Sequence, residues 1–250
     1  MFYLFNYHAN DDEILSEVFY FMNFYMMKDS DRIARIEKVL STQIGQYSIH
    51  YFLETGKYNK VITRILLTLS NLSGSMLDFM NTVEMKVFII RTFKMKLKGL
   101  TVNCLWLIIN LVRSSKKHFE LMFNSEILRS VFSCSQDGSD KIREAAAECI
   151  YAFVSECNNN NIAQMISNFD LLQFLYSSLK DKNETIQLFY LESLEIIIGI
   201  SQILEINNNR NLLITELKAI DNFSTFEKLS CSKNQKITEK VKYFLNNLIE

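Results

Sequence analysis

The chain has 250 residues, of which 48% are hydrophobic, six are glycine and none is proline. Proline averages about 5% of residues in proteins, so its absence excludes collagen, proline-rich linkers and the turn-rich chains of β-sandwiches. The six isolated glycines exclude a glycine-rich phosphate loop, and a net charge of −1 gives no overall reason to bind nucleic acid. What remains is a helical chain.

Segments with apolar residues three and four positions apart recur along this chain, each long enough for three or four helical turns. In chain order they are Ile14–Met27, Val61–Leu72, Val102–Val112, Ile142–Val154, Ile186–Ile198 and Ile237–Ile249. Shorter apolar helices that end in a polar break precede several of them, at Met85–Phe93, Leu128–Phe132 and Leu171–Leu179. The pattern predicts a short helix, a turn and a longer helix in repeating order, with asparagine-rich loops at 158–161 and 207–209.

An asparagine recurs in an apolar context within the longer helices, at Asn23, Asn71 and Asn110, at intervals of 48 and 39 residues. Tyr151 and Ile196 then match this position in the next two helices. Periods of about 40–47 residues are those of HEAT and armadillo solenoids. We therefore predict an all-α, armadillo-repeat α-solenoid, a right-handed superhelix, as a single domain over residues 1–250. Its approximate units are 11–30 (partial), 31–80, 81–124, 125–166, 167–210 and 211–250.

Asparagine is a poor helix former, and its amide is costly to bury without a partner. One interpretation is that each amide bonds to the neighbouring repeat. The other is a ladder of amides along a groove formed by the longer helices. Such a ladder can bond both the N–H and the C=O of an extended peptide without reading its side chains.

The run Val102–Leu111 carries a tryptophan and an asparagine four residues apart, Trp106 and Asn110. This pair resembles the Trp-xxx-Asn signature of the importin α family of armadillo-repeat adaptors. The runs 140–147 and 234–241 resemble the openings of later importin α repeats. The resemblance implies that residues 1–250 correspond to roughly the C-terminal half of an importin α solenoid, with Trp106 at the family's minor signal-binding site.

By this resemblance the protein is a nuclear import adaptor that binds basic nuclear localisation signals in its concave groove. A lysine stem packs on the indole of Trp106 while the ring attracts the ammonium. The amide of Asn110 holds the peptide backbone, and Glu144 takes the charge. The alternatives are a core role for Trp106 and, for Glu144, a first-turn acid that stabilises the helix dipole. The predicted peptide-binding residues are Trp106, Asn110, Asn71, Glu144, Asn23 and Phe19.

Departures from the family pattern define the competing hypothesis. Leu67 and Ala147 stand at tryptophan positions and offer no aromatic face. The alternative function is therefore an armadillo-type protein-interaction scaffold that has lost signal binding. The start of the sequence lacks a basic segment of the kind that recruits importin β, so we do not expect that partner. The resemblance also implies an export receptor as a partner of the C-terminal repeats, whose half of the sequence, residues 126–250, has a net charge of −5.

Other sites find little support in the sequence. The three histidines and five scattered cysteines form no zinc or catalytic pattern, so we expect no enzyme activity, metal or cofactor. The basic residues between Lys86 and Lys98 do not alternate with aromatic residues as a nucleic-acid stacking platform requires. Apolar runs such as 196–200 are far below the ~20 residues of a membrane span. Since the sequence also lacks a secretory signal, we expect a protein of the cytoplasm and nucleus.

Overall fold

The computed structural model describes residues 82–203, 209–221 and 223–249, together with residues 11, 13, 14, 17, 18 and 21. The helix predicted at Val61–Leu72 and most of the helix predicted at Ile14–Met27 lie outside these residues. Within the three described ranges the chain forms eleven helices and no strand. None of these helices is long and apolar enough to cross a membrane.

The chain divides into two compact units, Met1–Ser133 and Cys134–Glu250. In the first unit α1 spans Thr82–Lys94, α2 spans Lys98–Ser114, α3 spans Lys116–Met122, and α4 spans Ser125–Cys134, its last residue opening the second unit. The single domain over residues 1–250 and its repeat boundaries remain predictions made from the sequence.

The second unit begins with the long helix α5, Asp140–Glu156, and continues with two sets of two shorter helices and one long helix. The first set is α6 (Asn159–Phe169), α7 (Leu171–Ser178) and α8 (Glu184–Ile203), and the second is α9 (Asn209–Asp221), α10 (Ser224–Leu229) and α11 (Gln235–Ile249). The helices α2, α5, α8 and α11 contain the longer apolar segments predicted from Val102 onwards, and α1, α4 and α7 contain the shorter ones. The predicted order of short and long helices is therefore confirmed for these residues.

Asn159, Asn160 and Asn161 are helical and Asn158 is the N-cap before them, so the loop predicted over 158–161 is wrong. The Asn158 side chain accepts a hydrogen bond from the N–H of Asn161 at 2.9 Å, and α6 begins at Asn159. Asparagine is unfavourable inside a helix but is among the best residues at an N-cap. The run therefore begins a helix that the composition alone presents as a loop, and it supplies the first helix of a three-helix repeat.

The turns between helices use left-handed residues other than glycine. Lys96, Asp170 and Phe223 have positive φ values of 53°, 48° and 66°. Lys96 lies between α1 and α2, Asp170 between α6 and α7, and Phe223 directly before α10. A left-handed conformation costs a residue with a Cβ roughly 1–2 kcal/mol. A chain with few glycines and no proline therefore stores a small strain at these turns.

Each of the long helices α5, α8 and α11 is preceded by the same hydrogen-bonded turn. A side-chain oxygen in the turn accepts the backbone N–H two residues later, at 2.8–3.1 Å. A side chain in the first or second turn of the helix then donates to the backbone carbonyl of that same turn residue, at 2.7–3.2 Å. The turn residues are Asp137, Asp181 and Ser232, and their respective donors are Arg143, Gln187 and Thr238.

A half-buried ion pair reinforces the turn before α8. The Arg143 guanidinium on α5 donates to Asp181 at 2.9 Å, and these side chains are 20% and 16% exposed. Arg143 also bonds Asp140 at 2.8 Å, but that carboxylate is 75% exposed. Burial alone would raise the pKa of Asp181, yet the hydrogen bonds from Arg143 and from the N–H of Asn183 outweigh it and hold the pKa below its usual value.

Replacing Lys96 by glycine is expected to stabilise the protein by about 0.5–1 kcal/mol, because relief of the left-handed strain exceeds the entropy that glycine adds to the unfolded chain. Urea denaturation followed by circular dichroism measures the change. Lys218→Gly, at an exposed right-handed position in the last turn of α9, is the matched control and is expected to destabilise, by less than a glycine in the middle of a helix. Destabilisation by both variants would contradict the strain at Lys96.

Asp181→Asn is expected to lower the free energy of unfolding at pH 7 by about 1–2 kcal/mol, because it removes the more buried of the two carboxylates that pair with the half-buried Arg143 guanidinium. A carboxyl whose folded pKa is depressed stabilises the protein above its unfolded pKa of about 4 and loses that effect as the pH falls through the folded value. The difference between the two proteins should therefore shrink below about pH 4. Urea midpoints between pH 7 and pH 3 test this, and Asp140→Asn, on the exposed partner, should change them far less.

Candidate functional site

The long helices α2 and α5 are buried over most of their circumference, and each leaves a narrow line of side chains accessible. On α5 the residues from Ala145 to Ala147 and from Ala152 to Val154 are buried, whereas positions three and four apart between them are exposed or half-buried. We define the exposed stripe as these positions on the long helices. It comprises Asn103, Trp106, Asn110 and Arg113 on α2, Glu144, Glu148, Tyr151 and Ser155 on α5, and Leu188, Glu192, Glu195 and Gly199 on α8.

Trp106 is the most accessible large hydrophobic side chain of α2. It is 41% exposed, while its neighbours Leu105 and Leu107 are fully buried. Asn110 follows one helical turn later and is half-buried. Residues four apart lie on the same face of a helix, so the indole and the amide belong to one surface. An indole in this setting offers an aromatic face to a ligand, and the amide offers both a donor and an acceptor.

Glu144, the third predicted residue within the described chain, lies in the second unit on the first turns of α5. It is half-buried, and one of its carboxylate oxygens accepts a hydrogen bond from the Asn183 amide at 3.4 Å. Asn183 is also the N-cap of α8, where its side-chain oxygen accepts the N–H of Thr185 at 2.9 Å. Glu144 therefore links two successive long helices, and its role in peptide binding stays a prediction. The remaining predicted residues, Asn71, Asn23 and Phe19, lie outside the described residues.

The structure changes the alignment of the repeats by one residue at α5. The long helices begin at Lys98, Asp140, Glu184 and Gln235, at intervals of 42, 44 and 51 residues. The sequence matched Trp106 with Ala147, but Ala147 is fully buried. The helix starts and the burial pattern place Glu148 at that position instead.

Adding these intervals one after another to position 106 gives the equivalent positions on the next three long helices. They are the accessible residues Glu148, Glu192 and Tyr243. Sequence reasoning assigned no binding role to any of them. The run Ala145–Ala147 is the sequence signal that could have identified Glu148. These three small apolar residues indicate which side of α5 faces the core, and Glu148 follows directly after them. Tyr243 is 47% exposed on α11.

The stripe of the second unit is acidic on α5 and α8. It carries Glu144 and Glu148 on the first of these helices and Glu192 and Glu195 on the second. The Lys240 ammonium on α11 lies 2.6 Å from Glu195 and 4.0 Å from Glu192. These carboxylates and the single ammonium give this surface a negative charge, which favours cationic ligands.

Two of the described cysteines, Cys134 and Cys157, are poorly suited to nucleophilic chemistry. Burial, with a smaller contribution from the charge of Asp137, raises the pKa of Cys134 to about 11. Burial and the nearby Glu156 raise the pKa of Cys157 to about 12. At neutral pH these thiols are protonated. No group of three or more histidine, cysteine or acidic side chains in the described part of the chain is arranged to hold a metal ion.

Comparison with known proteins identifies the class of fold. The family model of the HEAT repeat matches residues 127–157, which span most of α4 and all of α5. Comparison with curated proteins gives no match. The described helices therefore belong to an α-solenoid of helical repeats.

Solved structures identify the type of solenoid. A designed armadillo repeat protein in complex with the peptide (KR)4 is similar with a TM-score of 0.78 and 14% identity, over 99% of this chain and 98% of that one. Computationally designed armadillo repeat proteins for modular peptide recognition give 0.75 and 14%, over 98% and 97% of the two chains. An engineered protein gives 0.77 and 13%, over 99% and 97%. The chain therefore has an armadillo-type fold, which agrees with the three-helix repeats of the second unit and confirms the predicted fold class.

Trp106→Ala is expected to reduce the free energy of unfolding by no more than about half as much as Leu107→Ala. A buried leucine truncated to alanine costs about 2–5 kcal/mol, because it leaves a cavity, whereas a side chain in the stripe leaves space that water fills. Urea denaturation followed by circular dichroism compares the two, since the alanine variant lacks the chain's single tryptophan. An equal cost would mean that the indole is part of the core.

Proposed function

We propose that this protein is a peptide-binding scaffold that holds extended, basic peptide segments on the exposed stripe of its long helices. The observation that carries the proposal is the accessible indole of Trp106 between two buried leucines, with Asn110 one turn further along the same face. A structural role in the core would bury such an indole. The proposal assigns the chain no catalytic role.

The residue types of the stripe suit a lysine- or arginine-rich ligand. The aliphatic stem of a lysine covers the indole face of Trp106, and its ammonium is attracted by the ring. The Asn110 amide bonds the N–H and C=O of the peptide, which fixes the backbone independently of sequence. The glutamates on the stripes of α5 and α8 favour a cationic partner over a neutral or acidic one.

The fold supports the same class of ligand by analogy. One armadillo-type protein with this fold was solved in complex with the basic peptide (KR)4, and others were designed for modular peptide recognition. The basic peptide is a ligand of that other protein. For the present chain the support comes from the chemistry of Trp106, Asn110 and the glutamates. Asn71, Asn23, Phe19 and Glu144 remain part of the proposed site.

Within this function we assign the protein the role of a nuclear import adaptor of the importin α type, acting between cytoplasm and nucleus. The support is the Trp-xxx-Asn signature and the resemblance of residues 140–147 and 234–241 to that family. The C-terminal repeats would then contact an export receptor. The competing function is an interaction scaffold of the same fold that does not bind basic signals.

A fluorescently labelled peptide of alternating lysine and arginine is expected to bind the full chain and to bind Trp106→Ala about two- to thirtyfold more weakly. That range corresponds to the ~0.5–2 kcal/mol of a cation–π contact. Fluorescence anisotropy measures both affinities. Trp106→Phe keeps an aromatic face and should retain most of the binding. Val87→Ala truncates a residue on α1 that is 47% exposed and lies outside the stripe, so it should bind like wild type.

Equal binding by wild type and Trp106→Ala, or no binding by either, would refute the peptide site. The import role has its own readout with the same proteins. A reporter that carries a lysine-rich signal should accumulate in the nuclei of permeabilised cells when the wild-type chain is added, and less so with Trp106→Ala. Peptide binding without accumulation would favour the scaffold function.

A further inference from the structure

Tyr243 on α11 occupies the position that Trp106 occupies on α2. Among the described residues of the four long helices, these are the large hydrophobic side chains with the greatest exposure, at 47% and 41%. The interval of 51 residues between the starts of α8 and α11 makes Tyr243 equivalent to Glu192, which is in turn equivalent to Trp106.

Two further features confirm this alignment of α8 with α11. The buried residues Ile237, Val241 and Phe244 of α11 match the buried residues Ile186, Tyr190 and Ser193 of α8. The N-cap asparagines also match, since Asn183 and Asn234 each accept a backbone N–H two residues later, at 2.9 and 3.1 Å. The equivalence of Tyr243 and Glu192 therefore rests on packing and hydrogen bonds as well as on helix length.

The sequence after Tyr243 repeats the spacing found at Trp106. Asn247 follows Tyr243 by four residues within α11, as Asn110 follows Trp106 within α2. The combination recurs at these two long helices, whereas the intermediate helices α5 and α8 carry Glu148 and Glu192 at the aromatic position.

The charges beside Tyr243 show which ligand suits it. Lys240 lies one helical turn before Tyr243 and places its ammonium 2.6 Å from Glu195 and 4.0 Å from Glu192, with its side chain 27% exposed. These three groups sum to one negative charge. An internal ammonium thus already occupies the space between α8 and α11 that a cationic side chain would take, and the surplus carboxylate favours a second one.

We infer that Tyr243 forms a second subsite for the lysine or arginine side chains of basic peptides, with Glu192 and Glu195 supplying negative charge and Lys240 acting as an internal competitor. This inference rests on the proposed function, because it concerns the same class of ligand. The Trp-xxx-Asn signature predicts a binding role for α2 alone, and this inference adds a binding role for α11.

The test uses the full chain with Trp106→Ala as background, so that the binding that remains reports on other subsites. The labelled lysine–arginine peptide should bind Trp106→Ala/Tyr243→Ala about two- to fivefold more weakly than Trp106→Ala alone, the size of an exposed cation–π contact. Trp106→Ala/Tyr243→Phe keeps the ring and should bind like the background. Circular dichroism shows that each variant is folded.

Lys240→Gln in the same background tests the internal competitor, since it frees both carboxylates and should tighten peptide binding about two- to fivefold. Equal affinities for the background and its Tyr243→Ala derivative would overturn the second subsite while the Trp106 site stands. Weaker binding after Lys240→Gln would overturn the role of Lys240 as a competitor. No binding by the wild-type chain would remove the proposed function together with this inference.

Discussion

Close packing of the long helices is the constraint on which the rest of the site depends. On α5 the buried residues occupy nearly the whole circumference of the helix, so side-chain chemistry reaches solvent along only one line. Recognition by such helices is then decided by which residues occupy positions three and four apart on that line. Buried neighbours such as Leu105 and Leu107 hold the backbone of α2 rigid, so Trp106 is presented from a fixed support.

The connections between helices explain how a chain without proline and with few glycines builds a repeat fold. Left-handed residues turn the chain where glycine is usual, and side-chain hydrogen bonds start the long helices. The turn acceptor and the helix donor recur before α5, α8 and α11 although the residue types differ, with arginine, glutamine and threonine as donors. Because the same hydrogen bonds recur with different residue types, the repeats differ in sequence while each of these long helices begins with the same turn.

Much of the fold follows from the sequence, because apolar spacing directly reflects which residues are buried. The four long helices from Val102 onwards were predictable for this reason. The start of α6 was missed because asparagine favours loops by composition and helix starts by N-capping, and only local geometry decides between them. The match of Trp106 to Ala147 failed because the turns between helices differ in length. The spacing of the asparagines therefore gives the length of a repeat only to within a few residues. The contact of Glu144 with Asn183 joins residues 39 positions apart, which periodicity does not encode.

Along the long helices the equivalent positions read Trp106, Glu148, Glu192 and Tyr243, so this position is aromatic on α2 and α11 and acidic on α5 and α8. A groove with an aromatic residue in every repeat gains affinity from several similar lysine pockets. Here each aromatic contact is worth only ~0.5–2 kcal/mol, and the glutamates act through screened, solvent-exposed charges. A ligand that uses one subsite would bind weakly, and selectivity would depend on how many cationic side chains a segment offers at once. Under the proposed function, the glutamates of α5 and α8 in the second unit therefore favour dense runs of lysine and arginine over isolated basic residues.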